Sequence, residues 1–283
     1  LTSGVLGAIT EAGAAVTILS SRQGRRMAIV LGRLHNDARI RVAQYARSQE
    51  PRFRLDWATR FVEMKIASQI VFLNHVMAIR QDLSRPLTEA LITLRSLRLR
   101  CGRSASQVIT HSGELLGLEG AAQAAYFRAY TKLFAESLVF TGRNRRPPRD
   151  PVNACLSLGY TILHYEAVRV AHAAGMDPFI GFFHEIAFGR ESLACDLIEP
   201  LRPYWDARVW EMFRSRRLRV EHFQEDKGAC LLGKAGREHF YQDYEEFLLL
   251  ASRTLRRYCR VLVHALMEGA SDLPHLGTEE EEP

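Results

Sequence analysis

The sequence predicts a mainly α-helical protein: a small N-terminal β region over residues 1–36, a large helical domain over 37–270, and an acidic, disordered tail over 271–283. Three observations carry this. Residues 15–20 and 27–31 are short apolar runs, and residues 21–24 between them read as a turn. From about Asp37 onward, apolar residues recur three and four positions apart. Near the end stands the run Glu279, Glu280, Glu281, Glu282, whose like charges repel and stay solvated.

Taken in order, the two apolar runs predict a hairpin. Two strands do not stand alone in water, so further strands or a second subunit must complete that sheet. The chain opens on Leu1 rather than methionine, and its first residues read as the inside of a domain, so it is expected to be a portion of a longer protein. In the next segment Trp57, Phe61, Met64, Ile66, Ile70, Phe72 and Val76 keep the helical period. Pro86, the loop 143–151, the turn 175–178, Pro200 and Pro203 divide the remaining chain into further helices, and few stretches alternate as strands do. No internal repeat is visible.

Composition narrows the partners. At 283 residues and 47% hydrophobic the chain can bury a substantial core and is not a disordered polymer. Its net charge of +6 and pI near 9.2 favour a polyanion. The basic residues are nearly all arginine, either because the planar guanidinium binds phosphate through two parallel hydrogen bonds or because the underlying genome is GC-rich. Five cysteines, odd in number and widely spaced without a C-x-x-C pair, argue against zinc or redox chemistry and fit a reducing cytoplasm. Residues 1–20 lack a basic start and contain Gly4, Gly7 and Gly13, so neither a signal peptide nor a membrane span is expected there.

Candidate chemistry concentrates between Arg143 and Arg202. Glu166, His184, Asp196 and Glu199 are ligand types suited to Mg²⁺ or Mn²⁺, which leave positions open for phosphate oxygens and water. Each has a plainer reading as well. Glu166 fits the solvated stripe of an amphipathic helix, His184 a turn or core histidine, and Asp196 a cap of the capping-box type. Clusters of arginine recur at Arg22, Arg25, Arg26; Arg95, Arg98, Arg100, Arg103; Arg143, Arg145, Arg146, Arg149; Arg214, Arg216, Arg217, Arg219; and Arg253, Arg256, Arg257, Arg260. The last two have the spacing of helix-borne stripes able to follow a phosphate backbone, and the third flanks the candidate metal site.

Several strings, in order, resemble the CRISPR-associated endonuclease and integrase of spacer acquisition, the Cas1 family. Leu115-Leu116-Gly117-Leu118-Glu119-Gly120 with Tyr126-Phe127 is similar to one family helix. So are the stretch from Arg145-Arg146-Pro147-Pro148 through Asp150-Pro151-Val152-Asn153-Ala154 to Gly159-Tyr160, the stretch Gly175–His184, and Ser192-Leu193-Ala194-Cys195-Asp196-Leu197-Ile198-Glu199. Val42–Tyr45 and Lys65–Gln69 fit its early helices. Pro200 departs from the pattern and implies a kink after Glu199.

The resemblance implies a truncated N-terminal β-sandwich used for dimerisation, ahead of a helical catalytic domain. It implies that Glu166, His184 and Glu199 are catalytic and bind Mg²⁺ or Mn²⁺, with Asp196 as an accessory ligand. Arg143, Arg145, Arg146, Arg149, Arg214, Arg216 and Arg217 are the expected DNA-binding residues. The implied reaction is transesterification, in which a 3′-hydroxyl of a captured DNA fragment attacks a CRISPR array. Implied partners are DNA, a second copy of the chain, a small ferredoxin-like Cas2 subunit, and a fused or associated reverse transcriptase, with no membrane. A non-catalytic nucleic-acid scaffold and a Mg²⁺-dependent nuclease for branched DNA are the competing readings.

Overall fold

The computed structural model describes residues 2–12, 16–19, 26–31, 35–101, 109, 111–144 and 147–268. A helix, α1 (Ser3–Glu11), opens the chain, followed by strands β1 (Val16–Leu19) and β2 (Arg26–Val30), which pair antiparallel with Val16 opposite Val30. The expected hairpin is present, and α1 corrects the expectation of a purely β segment. A β-sandwich is not seen among the described residues, and the acidic tail, the hairpin turn, Arg145 and Arg146 lie outside them.

Among the described residues eight α-helices come after the hairpin: α2 (Arg39–Ser48), α3 (Pro51–Ile79), α4 (Ser84–Cys101), α5 (Ser112–Tyr130), α6 (Pro151–Ala173), α7 (Ser192–Ile198), α8 (Arg202–Arg214) and α9 (Lys234–Met267). The starts of several are legible in local chemistry. Pro51 and Pro151 occupy first helical turns, where a missing N–H costs nothing, and Asp150 caps α6 by accepting the Asn153 N–H at 2.8 Å. Pro200, the departure from the family pattern, sits where the chain leaves the α-helical path: α7 stops at Ile198. Glu199–Leu201 winds into a tight 3-10 turn before α8 begins.

The apolar faces meet in one core. Helix α3 runs through it, burying Trp57, Phe61, Ile66, Leu73 and Val76 against α4, α5 and the turn that carries Glu199. Helix α3 has the length and apolar composition of a membrane span, but half of its most apolar window is buried inside this fold. Burial of such side chains contributes about 1.5–3 kcal/mol each. Helix α6 approaches α8 closely at Gly159, where an added Cβ would lie 2.1 Å from Nε1 of buried Trp205. Only glycine fits there.

A second hairpin is not predicted from the sequence. Strands β3 (Phe223–Asp226) and β4 (Ala229–Leu232) are joined by Lys227 and Gly228, both at positive φ (52° and 77°), which matches a tight turn whose twist suits a hairpin. Its strands are short and only part-buried, so no alternation marks them in sequence. The Cys230 N–H donates to the Pro148 carbonyl at 2.8 Å and so anchors the loop before α6. All five cysteines are free, and burial pushes every thiol up: Cys101, Cys195 and Cys230 to about 11, Cys259 to about 12, and Cys155 well above its ordinary value.

Candidate metal centre

Two carboxylates from separate helical segments are drawn together by one buried lysine. Lys65, on the core side of α3 and only 5% exposed, places Nζ 2.5 Å from Oε1 of Glu119 on α5 and 2.6 Å from Oε2 of Glu199 after α7. Burying an ammonium costs several kcal/mol unless it is paired, and two carboxylates make that burial possible. Glu199 also accepts from Nε of Arg202 at 2.8 Å. Burial pushes the Glu199 carboxyl up, but Arg202 and Lys65 outweigh it and hold it well below the usual carboxylate range. Two acid side chains are thus held around one ammonium.

His184 comes from the loop ahead of α7, and Asp196 fixes it. Fully buried on α7, Asp196 accepts the backbone N–H groups of Phe182 (2.7 Å), Phe183 (3.0 Å) and His184 (2.9 Å), and lies 2.7 Å from Nδ1 of His184. A carboxylate surrounded by donors accepts from the imidazole too, so Nδ1 carries the hydrogen and Nε2 presents its lone pair. Both Asp196 oxygens are already engaged. Its role here is to shape the loop and orient the ring; it caps no helix.

Helix geometry sends Glu166 elsewhere. Residues two apart on a helix differ by about 200°. His164 reaches Glu191 at 2.7 Å and so faces α7, whereas Glu166 pairs with Arg169 at 2.5 Å and hydrogen-bonds Ser252 on α9. Its carboxylate is engaged on the α9 side of α6. Glu119 stands beside Glu199 instead. The sequence offers Glu119 within the Leu115–Gly120 string but assigns it no role. Its signal is an acid beside a glycine in a string that carries the resemblance, and its pairing with Lys65 across 54 positions is not legible there.

Among the described residues no three His, Cys, Asp or Glu side chains close on one point as a finished ligand set. Lys65 occupies the space between the two acids. The donor chemistry fits a hard divalent cation nonetheless, with two carboxylates and one imidazole oriented through its far nitrogen.

The expected DNA-binding arginines divide. Arg143 is turned inward, donating to Asn153 and Ser157 with its guanidinium 5.2 Å from the centre of the Tyr160 ring. Helix α8 ends at Arg214, so the stripe expected through Arg219 is not helical: Arg214 pairs with Glu211, Arg217 with Asp243, and Arg216 sits in a turn at φ 58°. Arg149 and Arg216 are exposed.

Behind the centre lies a buried polar cluster. Asp206, buried on α8, accepts from the hydroxyls of Tyr126 (2.9 Å) and Tyr160, while Arg202 lies 4.5 Å over the Tyr160 ring. The ring therefore links Asp206 to the arginine that holds Glu199.

The family described as CRISPR associated protein Cas1 matches residues 1–246. The chain is 41% identical to CRISPR-associated endonuclease Cas1 1 of Thermodesulfovibrio yellowstonii, over 78% of this chain and 68% of that protein. It is 37% identical to CRISPR-associated endonuclease Cas1 3 of Thermus thermophilus, over 74% of this chain and 59% of the relative, and 33% identical to a Cas4/Cas1 fusion of Geobacter sulfurreducens, of which it spans 38%. In fold it is similar to a casposase bound to integration product (TM-score 0.78, 22% identity, all of this chain and 81% of that one). It is similar too to a Cas1 protein from Thermotoga maritima (TM-score 0.75, 22% identity, 94% and 83%) and to a chain of a Cas6-RT-Cas1–Cas2 complex (TM-score 0.78, 23% identity, 99% and 31%).

Proposed function

Because the chain belongs to the CRISPR-associated Cas1 family, we propose that it is a divalent-metal-dependent DNA endonuclease and integrase that joins captured DNA into a CRISPR array, with Glu119, His184 and Glu199 as the metal-binding side chains. The observation that carries this reading is Lys65: its ammonium lies between Glu119 and Glu199 where the charge of those two acids calls for a cation. Glu166, spent on Arg169 and Ser252, is replaced in that role by Glu119.

The reaction is a transesterification. A 3′-hydroxyl oxygen forms a bond to the phosphorus of the array, the bond from that phosphorus to the array's own 3′-oxygen breaks, and the number of phosphodiesters is conserved. Mg²⁺ or Mn²⁺, when bound, supplies positive charge against the crowded phosphate oxygens. The protein's own part is preorganisation. Asp196 holds the His184 ring so that Nε2 points its lone pair outward, Arg202 and Lys65 keep Glu199 ionised, and Tyr160 with Asp206 holds Arg202 in place.

DNA and a Cas2-like subunit are the proposed partners, joined by a second copy of the chain and by a fused or associated reverse transcriptase. The cytoplasm is the proposed location. The test compares Glu119→Gln with Glu166→Gln, measuring titration heat with Mn²⁺ and strand transfer of a labelled duplex into an array plasmid. Loss of both signals in Glu119→Gln and their retention in Glu166→Gln is expected; the reverse pattern overturns the ligand assignment.

A further inference from the structure

The longest helix carries an arginine face that the metal centre does not use. At about 100° per residue, Arg253, Arg256, Arg257 and Arg260 of α9 fall within an arc of roughly 100° and span about 10 Å of helix axis. All four are exposed. On the far side of the same turns Leu255, Cys259, Leu262 and Leu266 are buried in the core, so the helix cannot roll to hide the arginines. His264 extends the row by one further turn.

Several other surface arginines of this fold are neutralised locally, as Arg214 is by Glu211, Arg217 by Asp243 and Arg208 by Glu246. Among the described residues no ion pair reaches Arg253, Arg256, Arg257 or Arg260. Four guanidinium groups within two turns repel one another, and like-charge neighbours at this spacing cost a few tenths of a kcal/mol each unless a polyanion neutralises them. The arrangement is costly alone and favourable beside phosphates.

The geometry points to α9 as a docking surface for the phosphate backbone of duplex DNA, with Arg253, Arg256, Arg257 and Arg260 as the contacts. The choice of DNA as the polyanion rests on the proposed function. The contacts read charge and spacing, so binding here is independent of base sequence and positions the duplex rather than selecting it. Each guanidinium binds one phosphate through paired hydrogen bonds, and each contact releases condensed counterions.

The test uses the full chain and a labelled blunt duplex of mixed sequence, titrated over a series of KCl concentrations. Replacing the four arginines by glutamine is expected to raise Kd at least tenfold near physiological salt and to flatten the slope of log Kd against log salt by about three. Arg→Lys at all four positions keeps the charge and is expected to keep most of the slope. Single Arg253→Glu and Arg257→Glu variants, whose fold is checked by circular dichroism, are each expected to weaken binding severalfold and serve if the quadruple variant does not fold. Unchanged affinity and salt slope in a folded variant overturn the proposal. Glu119→Gln separates the two readings: if it loses metal-dependent joining while the glutamine variant binds as wild type, only the surface falls, and if it keeps joining while the arginine variants lose DNA, only the metal assignment falls.

Discussion

A Cβ on Gly181 would lie 2.7 Å from Oδ2 of Asp196. The same Cβ would meet backbone atoms of Ser192 and Leu193 at 2.7 and 2.9 Å, and backbone has no rotamer with which to retreat. Gly181 therefore lets the loop bearing His184 close onto the start of α7. Gly181→Ala is expected to push Asp196 off Nδ1 of His184, lowering stability by about 1–3 kcal/mol and metal affinity by roughly 10–100-fold. Thermal melts and Mn²⁺ titration check this, and an alanine variant that binds Mn²⁺ like wild type contradicts it.

Lys65→Met tests the buried cation. Without the ammonium, Glu119 faces Glu199 with only Arg202 left to offset their charge, and removing one partner of a buried ion pair costs about 3–5 kcal/mol. In metal-free buffer the variant is expected to melt well below wild type, and Mn²⁺ is expected to raise its Tm by more than that of wild type. No Mn²⁺-dependent shift in either protein would count against a metal at this position.

Asp206 sets a pH dependence. Burial pushes its carboxyl up from 3.8 to about 6, with the Tyr160 and Tyr126 hydroxyls pulling the other way. A folded value above the unfolded one means the native state holds the proton more tightly, so the contribution is fully present below about pH 4 and is lost as pH rises through about 6. Asp206→Asn is expected to flatten that fall, worth about 3 kcal/mol, in denaturant titrations across the range. An identical pH slope in the variant argues against it.

Gly159→Ala is a packing test with no chemistry in it. The Cβ would overlap the indole of Trp205, which is itself held by a 3.2 Å hydrogen bond to the Cys155 carbonyl and by Phe240, Tyr244 and Phe247 around it. The variant is expected to lose about 3 kcal/mol or more, read as a large drop in Tm. A near-native melting curve excludes so close an α6–α8 contact in solution.

The helical body is legible because its residues obey one period: Trp57, Phe61 and Val76 all face the core, as their spacing demands. The β3–β4 hairpin is not, since its four-residue strands are part-buried and the Lys227–Gly228 turn resembles any exposed loop. His184 and Glu199 stand out through the strings of neighbours around them. Glu119 does not, because what distinguishes it is a partner on α3, and a sequence read alone records order along the chain rather than which faces meet. Glu166 looks suitable for the same reason: its position on α6 gives no hint that Arg169 and Ser252 claim it.

The five cysteines offer a practical consequence. A thiol held near 11 or above is almost entirely protonated at neutral pH, and maleimide and disulfide reagents react with the thiolate. A single cysteine introduced on an exposed turn would therefore take up a fluorophore or spin label against a nearly silent background. Distances from such a probe to labelled nucleic acid become measurable in the otherwise unaltered protein, with none of its native sulfur atoms removed.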